Sequence, residues 1–309
     1  MDLIADIGAT YTRCALLDAR GRIARTENFL NTDFEKPEAL LRRFVEQAGL
    51  DRAALAVAAP IAGDEVTMIN IDWRFSQKAL MGALGVDELY ILNDFEALAH
   101  ALPRIAVSDC HPIGGGRAEA RAPRAVIGPG SGLGVATAAP YDDGWTAISG
   151  EGGHVTLPGL SEAESLVIRD HADPNGHCSA ERLLSGPGIV RIYLSLTSRA
   201  GESTSELTPA KISERAAKGD EIARQTYDIF FSLLGTVAGN LALTVGARGG
   251  IYIAGGIVPR MIDALERSTF RERFVDKGRY RDYLNAIPTC VITAELPAFL
   301  GLRTLLGNC

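Results

Sequence analysis

Two stretches of the chain share one pattern, in which an apolar run is followed by a short turn rich in small residues and then by a second apolar run. The first stretch is residues 3–17, with its turn at 6–10, and the second is residues 125–138, with its turn at 128–134. This pattern predicts a strand, a tight turn and another strand. Since each stretch stands near the start of one half of the chain, the pair indicates a duplicated architecture.

The chemistry of the two turns suits a phosphate group. A turn of this kind directs several backbone N–H groups at one spot. The first turn also carries Asp6, whose carboxylate could hold Mg²⁺ through water. An ordinary hairpin with a solvated tip explains the first turn about as well, but two such hairpins facing each other could grip one polyphosphate from both sides.

A third candidate lies where a predicted strand at 88–92 meets a predicted helix at 96–102. Asn93 and Asp94 stand at this junction, and in α/β folds ligands bind where strands end and helices begin. The alternative is that Asp94 only caps the helix, as aspartate often does.

Glycine-rich segments mark the second half of the chain. Residues 149–154 surround one glutamate and one histidine with small residues, so backbone and side chains can both face a ligand. Ser179 opens a helix that residues 186–188 are expected to break. Gly255 and Gly256 separate a strand at 250–254 from a helix at 259–267, whose N-terminus could accept part of a nucleotide. Residues 110–123 are expected to form an exposed connection.

Composition narrows the class of protein. The 309 residues allow one or two domains, and the alternation of strands and helices in two halves indicates an α/β protein. A net charge of −7 argues against nucleic acid or a membrane surface as the main partner. The five cysteines are scattered, which favours reduced thiols in the cytoplasm over a zinc site. The uncharged run at 229–245 is expected to be a buried core helix.

Several known site motifs are absent from the sequence. There is no GxxxxGK[ST] and no protein-kinase signature. Residues 128–134 do not form GxGxxG, and a strand-like run follows them, so a dinucleotide site is disfavoured. The same residues match the serine-hydrolase motif GxSxG only in part.

Taken together, both hairpins and four further motifs resemble bacterial glucokinases, in the branch without a zinc-binding cysteine cluster. The further motifs are residues 93–95, 150–154, 179–188 and 254–260, and the resemblance covers nearly the whole chain. It implies a two-lobed, actin-like (ribonuclease H-like) α/β fold of the hexokinase type. The small lobe would be residues 1–106 plus 295–309 and the large lobe residues 107–294, with the active site in the cleft between them.

The resemblance also implies roles for individual residues. Asp94 matches the catalytic base, and the matched glucose ligands are Asn93, Asp94, Glu151, His154 and Glu181. The positions matched to ATP binding are Asp6, Gly8, Ala9, Thr10, Gly130, Ser131, Gly132, Gly255 and Gly256. Asp6 is also the expected Mg²⁺ position, through water. Three residues depart from the family pattern: Ala9 replaces a glycine, Tyr11 replaces an asparagine, and Pro129 has no N–H to offer a phosphate.

The function so implied is ATP-dependent phosphorylation of glucose to glucose 6-phosphate in cytoplasmic glycolysis. The expected cofactors are ATP and Mg²⁺, the expected partners are glucose and ATP, and neither nucleic acid nor membrane is expected. Whether the chain forms a homodimer stays open. Two alternatives remain: a kinase of the same fold for another hexose or an amino sugar, and a sugar-sensing protein that has lost turnover.

Overall fold

The computed structural model describes residues 1–46, 48–68, 71–201 and 207–307. Its strands are β1 (Asp2–Ile7), β2 (Tyr11–Leu17), β3 (Ile23–Leu30), β4 (Arg52–Val57), β5 (Glu65–Thr67), β6 (Arg74–Ser76), β7 (Glu88–Asn93), β8 (Cys110–Pro112), β9 (Arg124–Pro129), β10 (Leu133–Tyr141), β11 (Gly144–Gly150), β12 (Ile251–Ile253) and β13 (Thr289–Ile292). Its α-helices are α1 (Pro37–Val45), α2 (Gln77–Leu84), α3 (Asp94–Ala101), α4 (Glu162–His171), α5 (Ala180–Leu183), α6 (Gly186–Arg199), α7 (Pro209–Ala217), α8 (Glu221–Val245), α9 (Ile262–Arg267), α10 (Phe270–Val275), α11 (Arg281–Asn285) and α12 (Pro297–Leu305).

The chain divides into two compact units. The first contains Met1–Ile105, Trp145–Ser149 and Ala294–Cys309, and the second contains Ala106–Gly144 and Gly150–Thr293. Each unit has its own apolar core.

The first unit is built on a five-stranded sheet in the order β3-β2-β1-β4-β7. Strands β1 and β2 are antiparallel, whereas β4 and β7 run parallel to β1. Asp6 pairs with Ala56, and Val57 pairs with Asn93, so the carboxyl ends of β1, β4 and β7 share one edge of the sheet. Ligands in open α/β sheets bind at such an edge.

Helices cover both faces of this sheet. Leu40 and Leu41 of α1 and Leu80 of α2 are fully buried in the core of the first unit. Helices α3 and α12 pack closely on each other, because Gly301 lies so near Ala97 that an added Cβ would overlap its carbonyl oxygen. Helix α3 therefore has a fixed position at the end of β7.

The second unit repeats the central motif of the first. Its strands run in the order β10-β9-β12-β13-β8, with β9 antiparallel to β10 and parallel to β12. The hairpin β1–β2 followed by parallel β4 and the hairpin β9–β10 followed by parallel β12 thus have the same connectivity. The duplicated architecture expected from the two sequence patterns is confirmed.

Three of the expected elements differ in the structure. Residues 110–112 form β8 rather than an exposed connection, because they pair with β13 about 180 residues away. Residues 186–188 begin helix α6 rather than breaking a helix: the Ser185 hydroxyl accepts the Gly188 N–H at 3.1 Å, and Pro187 suits the first turn. The helix expected at 259–267 begins only at Ile262, after a 3₁₀ turn at Val258–Arg260.

Helix α8 is the core helix of the second unit. Among the described residues it alone is long and apolar enough to cross a membrane, yet 67% of its apolar window is buried. Gly235 and Gly239 let α10 approach closely, since an added Cβ at either glycine would overlap the carbonyl oxygen of Phe270 or Phe274. The expectation of a buried core helix is confirmed.

Candidate active site

The first turn, between β1 and β2, places a carboxylate beside a tight backbone bend. The Gly8 N–H donates to the Tyr11 carbonyl at 3.0 Å and closes the turn. Asp6 stands just before it, with its Oδ2 atom 3.5 Å from Nη1 of Arg13. Burial raises the pKa of Asp6, and the weaker opposing effect of Arg13 does not cancel the rise. A bound cation would favour the charged carboxylate here.

Asn31 supports this turn through hydrogen bonds on both sides of it. This residue was not identified from the sequence. Its side chain is completely buried. Its Nδ2 atom donates to the Gly8 carbonyl at 2.8 Å, and its Oδ1 atom accepts from the Thr12 hydroxyl at 2.8 Å. Its backbone N–H donates to the Thr10 carbonyl at 2.9 Å. Asn31 lies 19 to 23 residues from Thr12 and Gly8, so no local pattern marks it.

Ala9 fits this turn without strain. Among the described residues other than glycine, only Glu46 and Asp142 have a positive φ. Ala9 therefore does not need the left-handed conformation that glycine tolerates best. The departure from the family glycine leaves the hairpin geometry intact.

Asn93 and Asp94 join β7 to α3, and Asn93 provides the helix cap. The Asn93 Oδ1 atom accepts the Phe95 N–H at 2.9 Å, and its Nδ2 atom donates to the Ala59 carbonyl at 3.2 Å. Asp94 Oδ1 accepts the same N–H at 3.0 Å. Since Asn93 already caps the helix, capping alone does not explain the carboxylate at position 94.

Asp94 has the electrostatics of a proton acceptor. Withdrawal from water raises its pKa to about 6, and the charge of Asp6 adds to the rise. Hydrogen bonds from Phe95 and Asn93 act in the opposite direction. General bases work best when their pKa lies near the working pH, and two interacting carboxyls at one sheet edge are a common way to achieve this.

The second turn, between β9 and β10, is held by backbone contacts instead of a buried amide. The Gly130 N–H donates to the Gly132 carbonyl at 2.8 Å, and the Gly186 N–H donates to the Gly130 carbonyl at 2.8 Å. Gly255 has a φ of +86°, and an added Cβ there would overlap the carbonyl oxygen of Pro129. The Gly255–Gly256 turn thus rests directly on the turn of the hairpin.

Leu133 links this turn to the expected sugar ligands of the second unit. Its N–H donates to Glu181 Oε2 at 2.9 Å. Gly132 must be small because an added Cβ would overlap the same carboxylate oxygen. Gly153 must be small as well, because a Cβ added there would overlap the carbonyl oxygen of Leu133. One residue therefore holds the turn, Glu181 and the 151–154 loop together.

The loop with Glu151 and His154 makes the sharp bend that its glycines allow. Gly152–His154 form a 3₁₀ turn, and the His154 N–H donates to the Glu151 carbonyl at 3.0 Å. His154 Nε2 lies 3.9 Å from Glu151 Oε2, and both side chains are more than half exposed. The two groups converge and face solvent, so both can meet a ligand.

A cavity of about 860 Å³ lies in the second unit beside the segment that follows Gly255 and Gly256. Its size fits a small-molecule site. Residues from α7, α8, α9 and the 3₁₀ turn before α9 line it, among them Ala216, Tyr227, Pro259 and Met261.

The fold and these groups define a class, the actin-like sugar kinases. Among solved structures, glucokinase from an Antarctic psychrotroph resembles the chain with a TM-score of 0.88 and 33% identity, covering 100% of this chain and 99% of that one. The ROK family glucokinase from Streptomyces griseus, solved with glucose and AMPPNP, has a TM-score of 0.66 at 18% identity and covers 98% of both chains. At that identity it shows the fold alone.

The family follows from the sequence comparisons. The family described as Glucokinase matches residues 3–308. Glucokinase of Nitrobacter hamburgensis is 44% identical over 308 residues, covering 98% of this chain and 96% of the relative. Glucokinase of Neisseria meningitidis is 42% identical over 310 residues, covering 99% and 94%. The chain belongs to the glucokinase family, and a non-catalytic sugar sensor is not favoured.

Proposed function

We propose that the chain transfers the γ-phosphoryl group of ATP to the 6-hydroxyl of glucose, with Asp94 as the general base. The observation that carries this proposal is the Asp94 carboxyl, whose pKa of about 6 results from withdrawal from water and from Asp6. Its place at the junction of β7 and α3 is the place expected for a ligand-facing group. Membership of the glucokinase family supplies the reaction type.

The reaction would start with glucose bound and its 6-hydroxyl within hydrogen-bond reach of Asp94. Asp94 takes the hydroxyl proton as the sugar oxygen forms a bond to the γ-phosphorus. The bond from the γ-phosphorus to the bridging oxygen breaks, and ADP leaves with that oxygen. Phosphoryl transfer needs little from the protein beyond a proton acceptor, positioning and charge stabilisation.

The sugar would be held by groups from both units. Asn93 and Asp94 belong to the first unit, and Glu151, His154 and Glu181 belong to the second. The proposal requires one glucose to contact all of them, so binding would favour a closed arrangement of the units. Exclusion of water from that arrangement would limit ATP hydrolysis.

The donor phosphates would be held by the two turns. Gly8, Ala9 and Thr10 form the first, and Ser131 and Gly132 provide the candidate N–H donors of the second, since the Gly130 N–H is bonded to Gly132. The adenosine would occupy the 860 Å³ cavity beside the Gly255–Gly256 turn.

The residues fit a magnesium ion bound together with ATP. Mg²⁺ usually keeps several waters and takes one or two carboxylates plus substrate phosphates. Asp6 offers such a carboxylate at the first turn, and the described residues contain no cluster of three or more ligand side chains that would form a separate cage. Bound there, the ion would neutralise charge on the phosphates.

An assay of ADP release over a panel of sugars and phosphoryl donors tests the proposal. Glucose with ATP should give the highest kcat/KM and yield glucose 6-phosphate. A preference for another hexose or an amino sugar would favour the first alternative, and tight glucose binding without ADP release would favour the sensor. We also propose that the protein acts in cytoplasmic glycolysis. We further propose that two copies of the chain form a homodimer, which sedimentation velocity would test.

A further inference from the structure

We infer that Asn31 is a positioning residue that aims the backbone N–H of Ala9 at the phosphoryl donor. The inference rests on the proposed function, because it takes the turn between β1 and β2 as a phosphate-binding turn. It adds a residue that no motif in the sequence marks and that lies outside the turn itself.

The first step concerns what Asn31 holds. Its side chain is completely buried, and both ends of the amide have partners: Gly8 on the Nδ2 side and Thr12 on the Oδ1 side, each at 2.8 Å. Its backbone N–H holds the Thr10 carbonyl at 2.9 Å, and its own carbonyl accepts the Phe34 N–H at 3.1 Å. With an acceptor at one end and a donor at the other, the buried amide has one favoured orientation, because turning it over would place Oδ1 against the Gly8 carbonyl oxygen.

The second step concerns what the hydrogen bond to Gly8 does to the turn. The carbonyl of Gly8 and the N–H of Ala9 belong to one planar peptide unit, and in a trans peptide they point in opposite directions. The described residues contain no cis peptide bond. By holding the Gly8 carbonyl, Asn31 therefore fixes the direction of the Ala9 N–H, which points away from the buried amide.

The third step concerns energy. An N–H group that is fixed before the ligand arrives does not lose conformational freedom on binding, and preorganised donors bind charge better than mobile ones. The glucose ligands proposed in this unit, Asn93 and Asp94, are anchored separately, through Ala59 and Phe95. Loss of the Asn31 amide should thus weaken donor binding and leave glucose binding intact.

The test compares Asn31→Ala with wild type in two binding measurements and one kinetic measurement. Calorimetry gives the Kd of a non-hydrolysable ATP analogue with Mg²⁺, and separately the Kd of glucose. Steady-state assays give the KM for ATP. We expect the analogue Kd and the KM for ATP to rise by at least about tenfold, while the glucose Kd stays within about twofold.

Two control variants separate positioning from stability. Leu41→Ala removes a fully buried side chain from the core of the same unit, and it should lower the melting temperature without changing the ratio of the two Kd values. Asn28→Ala removes an exposed asparagine from the same strand-to-turn region and should change neither quantity.

A second variant keeps the test decisive if Asn31→Ala fails to fold. Thr12→Val preserves shape and removes the hydroxyl that donates to Asn31, and it should raise the analogue Kd by about two- to fivefold. Equal weakening of glucose and analogue, or no weakening of either in the folded variants, would overturn the inference. Absence of hexose phosphorylation by wild type would overturn the proposed function instead, and the analogue Kd would still decide the role of Asn31.

Discussion

The two turns have the same connectivity but are held in different ways. In the first, a buried asparagine bonds the backbone carbonyls of Gly8 and Thr10, and a carboxylate stands beside the bend. In the second, the support comes from glycines that let other backbone segments and the Glu181 carboxylate approach. The first turn therefore depends on a buried side-chain amide in addition to its own backbone hydrogen bond, whereas the second depends on glycines that leave room for neighbouring groups. Substitutions should affect the two turns differently.

The largest effect should come from substituting Asp94, whose pKa is raised in part by the Asp6 carboxylate at the first turn. Asp94→Asn keeps the shape and the hydrogen bond to Phe95 but cannot take a proton. Loss of a general base costs about 10²–10⁴ in rate, so kcat should fall by that factor while the glucose Kd changes much less. Asp87→Asn, at an exposed carboxylate just before β7, is the matched control and should keep wild-type kcat. Turnover of Asp94→Asn within a few-fold of wild type would remove Asp94 from the mechanism.

The second-largest effect should come from substituting His154 and Glu181, the proposed sugar ligands of the second unit. His154→Ala and Glu181→Ala should each raise the KM for glucose by at least about tenfold, or roughly 1.4 kcal/mol. The reason is that each substitution would leave a glucose hydroxyl group without its hydrogen-bond partner in the site. They should also narrow the preference for glucose over mannose and 2-deoxyglucose.

Two further variants sharpen this prediction. Glu181→Gln keeps an acceptor for the Leu133 N–H and should be milder than Glu181→Ala. His111→Ala, at a half-buried histidine paired with Glu266, should leave the KM for glucose unchanged. If His154→Ala and Glu181→Ala both kept wild-type KM and selectivity, these residues would not line the sugar site.

A pair of alanine substitutions tests the contrast between the turns. Gly132→Ala should displace the Glu181 carboxylate, because the new Cβ would overlap its Oε2 atom, and should raise the KM for glucose by about fivefold or more. Gly8→Ala would place its Cβ 3.2 Å from the Tyr11 carbonyl oxygen, which a small shift relieves. Equal changes in the KM for glucose would mean that the turns do not differ as described.

The smallest effect should come from Ala9→Gly, which restores the glycine usual in the family. Since Ala9 does not have a positive φ, the substitution should change the KM for ATP by less than about twofold. It should lower the free energy of unfolding by about 0.4–1 kcal/mol, because glycine gives the unfolded chain more freedom. A large improvement in ATP affinity would show that Ala9 strains the turn.

The sequence predicted what local patterns encode. The apolar runs around each turn specified both hairpins, and the strand-to-helix junction at Asn93 and Asp94 followed from the end of one run and the start of another. The buried part of helix α8 was recognisable because residues 229–245 form one uncharged, mostly apolar run.

The features that sequence reasoning missed depend on partners far along the chain. Strand β8 has three residues and exists only because β13 pairs with it. The role of Asn31 depends on Gly8 and Thr12 across two strands. Pro187 looked like a break, although a cap at Ser185 makes proline suitable for the first turn of α6.

The most direct test of the central claim is the pH dependence of kcat/KM for glucose at saturating MgATP. The pKa of Asp94 is raised to about 6, so its base form appears, and activity rises, as the pH increases through that value. The raised pKa also makes the stability of the fold depend on pH, because the folded state disfavours the charged form of Asp94. The contribution of Asp94 to the free energy of unfolding is therefore fully present below the unfolded pKa of 3.8 and is lost as the pH rises through about 6. We expect an acid limb near pH 6 in wild type and none in the residual activity of Asp94→Asn. A limb that persists in the variant, or activity that stays flat from pH 5 to 8 in wild type, would contradict the assignment of Asp94 as the base.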